Sequence, residues 1–146
     1  FDFDGVIADD EAETVFKQQG LPEFHEHEIN KSHIPHNPGL LAPLFRKLSA
    51  LQRLEAKMEN EDKHYQRLIR TAIITARSAP AHERVITSLE EWGILPNETF
   101  FLGGMDKKHI LSVFKPHMFF DDQRQHLQAS ADNIPMVHIP FGVANQ

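Results

Sequence analysis

Short apolar runs, set apart by stretches with helical spacing, constrain this chain most. Five such runs are predicted as strands, at residues 1–8, 70–75, 99–102, 117–120 and 136–139. Between the last four lie helical patterns. Over 82–92, Val85, Ile86, Leu89 and Trp92 form one stripe, and Gly93 is a fitting stop. Asp106 is placed to cap a helix that carries Ile110, Leu111 and Phe114 and ends before Pro116. A weaker helical pattern covers 123–131. Strands alternating with helices predict an α/β fold, a Rossmann-like and mainly parallel sheet flanked by helices. The runs TAIIT and HMFF are largely apolar, as strands covered on both faces should be.

Residues 9–66 break the alternation. They hold helical patterns at 11–19 and 43–58, the second with Leu44, Phe45, Leu48 and Leu51 at helical spacing, expected to pack. Residues 21–39, rich in His, Pro and Asn, are expected to be irregular, and the charged stretch 55–66 to be solvated. The segment is therefore expected to be a helical cap insertion after the first strand of a single domain spanning 1–146. A length of 146 residues suits one domain with one sizeable core. The formal charge of −6 disfavours a nucleic-acid backbone or an anionic membrane as the main partner. No run reaches transmembrane length and no signal peptide is visible, so a cytoplasmic location is the default expectation. With no cysteine, disulfides and thiolate metal sites are excluded. The chain opens without a Met in what reads as mid-strand, so upstream sequence is expected.

Open parallel sheets place their active sites at the strand ends. Asp2 and Asp4 lie in the first run. Thr75, Ala76, Arg77 and Ser78 follow the second, Gly103 to Lys108 the third, and Asp121 and Asp122 close the fourth. Two carboxylate pairs, a hydroxyl and a lysine thus gather at one sheet edge. The chemistry that needs this set is phosphoryl transfer through an aspartyl phosphate. One carboxylate attacks phosphorus, and a second, two residues on, handles protons. Mg²⁺, which prefers carboxylates and waters, would offset the repulsion. A lysine and a threonine hydroxyl would hold the phosphate oxygens. Each feature also has a simpler reading: loop acids for Asp2 and Asp4, a helix N-cap for Asp121-Asp122, solvated lysines at 107 and 108. His25, His27, His33 and His36 suggest zinc, but their spacing matches no closed site. Arg77 either binds substrate or pairs with a nearby acid.

The segments FDFDG, TARS, GGMDKK and FFDDQ resemble the four ordered motifs of the haloacid-dehalogenase (HAD) superfamily of phosphatases. The chain is most similar to the cytosolic 5'-nucleotidase I group: FDFDGVIADDE at the first motif, Ile74 to Ala79 at the second, and also His25-Glu26-His27-Glu28, Trp92-Gly93, KPHMFFDDQ and His138 to Gly142. Gly5 instead matches the wider superfamily's DxDG. Members of the group carry a further N-terminal region, so the resemblance leads one to expect that the chain is a catalytic half. The resemblance implies Asp2 as nucleophile and Asp4 as general acid/base, with the Asp4 carbonyl a metal ligand. It implies Thr75 and Ala76 at the phosphate, Lys107 (or Lys108) as the phosphate-binding lysine, and Asp121 and Asp122 as metal-binding acids beside Asp2, with Asp121 preferred as the direct ligand. The expected activity is Mg²⁺-dependent hydrolysis of nucleoside 5'-monophosphates. The alternatives are another small phosphate ester, such as a sugar phosphate, or a non-catalytic nucleotide-binding module. Base, sugar and oligomeric state stay open.

Overall fold

The computed structural model describes residues 1–128 and 134–146. It is a mixed α/β structure with four short strands, β1 (Ala72–Thr75), β2 (Glu98–Phe101), β3 (Phe119–Asp121) and β4 (Met136–His138). β1 pairs in parallel with β2, and β3 with β4. The two pairs are joined by the start of the chain. The Phe1 amino group donates to the Ala72 carbonyl and Ile74 N–H to the Phe1 carbonyl, both at 2.9 Å, while Asp2 N–H donates to Phe120 at 2.8 Å. Hydrogen bonding therefore runs β2, β1, Phe1–Asp2, β3, β4.

The expected first strand at 1–8 is thus far shorter. After Asp2 the chain coils, and the N–H groups of Ile7 and Ala8 both donate to the Phe3 carbonyl. Gly5, with φ of +68°, makes this turn. Ala8 contributes only an isolated bridge to Pro38.

The helices are α1 (Glu11–Gln19), α2 (Leu21–Asn30), α3 (Ala42–Glu61), α4 (His82–Glu91), α5 (Lys108–Phe114) and α6 (Arg124–Gln128), with a closing 3₁₀ turn at Val143–Asn145. The expected helix at 123–131 lies partly outside the described residues. Successive residues of β1 face opposite layers, as the pleat requires. Ile73 joins Phe3, Phe45, Val85, Trp92 and Ile94 on one side, and Ile74 joins Leu102, Leu111 and Phe119 on the other.

Three expectations about the segment before β1 need correction. Residues 21–30 are helical, begun by Pro22 in the first turn, where a missing N–H costs nothing. On α3 the buried stripe is Ala42, Phe45, Ser49, Gln52 and Glu55, while Leu44 and Leu51 are exposed, because Phe45 is the anchor the core accepts. Glu55 is not solvated: it takes N–H groups of Leu68 and Ile69 and the Tyr65 hydroxyl, tying down the chain that leads into β1. No helix among the described residues is long and apolar enough to cross a membrane.

Candidate active site

The strand ends bring the first acids, Thr75, Lys107 and the Asp121-Asp122 pair together. Asp2, buried, turns one carboxylate oxygen to Phe3 N–H at 2.7 Å and the other to the Lys107 ammonium. Lys107 also donates to Asp121 at 2.7 Å. Asp121 is held further by Gln123 N–H at 2.8 Å and by a His126 ring nitrogen at 3.0 Å. Burial pushes Asp2 up to about 6 against the pull of Lys107. Burial alone would lower Lys107, but the two carboxylates raise it, so the ammonium stays charged. Lys108 is exposed. Asp106 accepts the Lys108 N–H at 2.8 Å, but the N-cap position of α5 is Lys107, one residue later than expected.

Asp4 sits at the edge of the same cleft, gripped by Arg77 through two bonds of 2.7 Å. Thr75, buried at the end of β1, accepts Arg77 N–H at 3.3 Å, which leaves its own hydroxyl proton to donate. The cleft encloses about 480 Å³, within the range of small-ligand sites. Asp2, Asp4, Thr75, Ala76 and Gly104 line its polar end, and Phe16, Leu21 and Phe24 of the α1–α2 pair form an apolar wall. α1 and α2 seat through Ala12 and Phe24 against Ala81, ahead of α4.

A family model for 5'-nucleotidase matches residues 1–146, the whole chain. The chain belongs to the 5'-nucleotidase family. It is 36% identical over 131 residues to human cytosolic 5'-nucleotidase 1B, which covers 89% of this chain and 21% of that protein. The chain thus spans about a fifth of that relative's length. No solved structure matches. Membership is consistent with the resemblance to the HAD superfamily.

Within this 5'-nucleotidase chain the acids outnumber the cation that faces them. One ammonium serves Asp2 and Asp121, while neither oxygen of the fully buried Asp122 has a hydrogen-bond partner among the described residues. Burial, then the charges of Glu13, Asp2 and Asp121, push Asp122 up to about 8. One oxygen of Glu13, on α1, is also buried without a hydrogen-bond partner among the described residues, while its other takes the Gln123 amide at 3.1 Å and lies 3.5 Å from the Lys17 ammonium. Unpaired buried carboxylates are costly, and hard oxygen donors suit Mg²⁺, so the residues present fit such an ion. Ligand atoms of Asp2, Asp121 and His126 lie within 4.8 Å of one another.

Glu13, Gln123 and His126 escaped the sequence reading. Glu13 faces the site because α1 presents Ala12 and Glu13 inward. His126 follows Asp121 by five residues, across the turn into α6. A histidine just after a metal-type acid pair was the available signal. The histidines at 25, 27, 33 and 36 gather no metal cluster among the described residues.

Proposed function

We propose that this chain is the catalytic part of a Mg²⁺-dependent phosphomonoesterase of HAD type that hydrolyses nucleoside 5'-monophosphates. The observation that carries the reading is Asp2, which lines a cleft walled elsewhere by Phe16, Leu21 and Phe24 and is backed by the buried Lys107 and Asp121. Asp2 attacks phosphorus with a carboxylate oxygen, the bond from phosphorus to the 5' oxygen breaks, and Asp4 gives that oxygen a proton. Asp4 then takes a proton from water, the water oxygen attacks phosphorus, and the bond to Asp2 breaks, releasing phosphate. The Thr75 hydroxyl, the Ala76 backbone and Lys107 hold the transferring oxygens. Asp2, Asp121 and Asp122, with the Asp4 carbonyl, would hold Mg²⁺, which supplies charge neutralisation at the phosphate. The α1–α2 pair serves as the cap: Phe16, Leu21 and Phe24 offer apolar faces to a base, and the cap keeps bulk water from the acyl phosphate.

The test is phosphate release with Mg²⁺ from nucleoside monophosphates and sugar phosphates, for the intact chain and Asp2→Asn. The expected result is release that favours nucleotides and falls at least about a thousandfold in Asp2→Asn, as loss of a nucleophile should. Equal release from both proteins would sink the covalent route. Equal rates on nucleotides and sugar phosphates would sink the substrate assignment.

A further inference from the structure

One buried arginine of the cleft has no part in the chemistry just described. Arg77 spends all five of its N–H donors. Nε and Nη2 grip the two oxygens of Asp4 at 2.7 Å each. Nη2 also reaches His36 Nε2 at 3.0 Å, and Nη1 donates to Glu28 and to the Ala81 carbonyl at 3.1 Å. Its guanidinium carbon lies over two rings, 5.4 Å from Phe3 and 5.3 Å from Phe24. The group that holds the Asp4 carboxylate is thus engaged at every N–H and packed against two aromatic side chains.

Glu28 completes the arrangement from α2. Its side chain is wholly buried, with one oxygen on Arg77 and the other taking Arg84 at 2.8 Å and His27 at 2.9 Å. His36 is fixed as well: its Nδ1 lies 2.9 Å from the Ser88 hydroxyl, which itself donates to the Arg84 carbonyl. The His36 Nε2 faces both Arg77 Nη2, at 3.0 Å, and Glu28 Oε2, at 3.2 Å. Salt bridges kept only for stability need no such convergence, since buried ion pairs are a weak source of it. The same helix that anchors Arg77 carries Phe24, which lines the apolar wall.

We propose that Arg77, oriented by Glu28, is a positioning residue that aligns the Asp4 carboxyl with the departing 5' oxygen, so that the seating of α2 sets the acid step. The proposal rests on the phosphatase reading above. A lysine at 77 keeps the charge but loses the two-pronged grip.

The experiment compares kcat/KM, which reports the first half-reaction, on a nucleoside 5'-monophosphate and on p-nitrophenyl phosphate. The nucleoside oxygen needs a proton to leave; the nitrophenolate does not. Asp4→Asn is the benchmark and should lose about a hundredfold or more on the nucleotide and far less on the aryl ester. Arg77→Lys should show the same bias, at least about tenfold, and Glu28→Asp a smaller bias of the same sign. Near-ultraviolet circular dichroism reports folding. Equal losses on both substrates, in whichever variant folds, overturn the proposal, as does collapse of both variants, which would make the cluster a staple of the fold. If Asp4→Asn itself shows no bias, the assignment of Asp4 as the acid is what fails.

Discussion

Gly5 shows how tightly the first acids are built in. Its φ of +68° lies in the region that costs a side chain about 1–2 kcal/mol, and an added Cβ would stand 2.7 Å from the Asp122 carboxyl carbon. Gly5→Ala should therefore lower stability by about 2 kcal/mol or more, read as a fall in urea midpoint, and displace Asp122. The glycine of DxDG is thus both a turn and the space that the fourth motif's second acid occupies. That Asp2, Thr75, Lys107, Asp121 and Asp122 meet at the strand ends was legible, because each ends an apolar run or lies in the loop that follows one. The partners of Arg77 were not. They lie 73, 49 and 41 residues away in sequence, at Asp4, Glu28 and His36, and only the tertiary fold converts such separations into contacts.

Among elements, the sequence located strands β1 to β4 and helices α1, α4 and α5 closely, because those segments are apolar on the face or faces they bury. It misjudged α3. The leucines at 44 and 51 share helical spacing with Phe45 and Leu48, and spacing alone does not say which stripe meets the core. Phe45→Ala should cost about 3–5 kcal/mol and Leu51→Ala less than about 0.5 kcal/mol in urea unfolding; a reversed order would contradict the packing. α2 was missed because its His and Glu residues look solvated, yet Glu28 and nearby His36 form the buried cluster that seats it. Burial, with the Arg77 charge adding to it, lowers His36 from its ordinary 6.5. With its folded pKa depressed, the neutral imidazole's contribution is complete above 6.5 and is lost as pH falls below it. The urea midpoint should drop between about pH 7 and about pH 5, and His36→Gln should flatten that drop. An unchanged slope in the variant would remove His36 as its cause.

For the molecule as a whole, the decisive imbalance is charge at the sheet edge. The sheet brings Asp2, Asp121 and Asp122 to one end, where Lys107 offsets only part of the charge, and α1 adds Glu13 with Lys17 3.5 Å from it. Burial first, and these charges after it, raise Asp122 from 3.8 to about 8. A carboxyl raised on folding contributes fully below 3.8 and loses that contribution as pH rises through about 8, so the metal-free protein should lose stability over that window. A divalent cation held as proposed would compete with the proton for the same oxygens. Mg²⁺ should accordingly raise the melting temperature more at about pH 8 than at about pH 5, where the proton already holds the site. At about a hundred times its Kd, Mg²⁺ should add about 2.7 kcal/mol, or roughly 5–10 °C for a chain of this size. Asp122→Asn should remove most of that gain and, without Mg²⁺, melt higher than the parent at about pH 8, because it no longer buries an ionising acid. The measurement is a thermal melt with Mg²⁺ against one with chelator, for parent and variant at both pH values. A Mg²⁺ gain of equal size in Asp122→Asn would place the cation elsewhere than at this carboxylate.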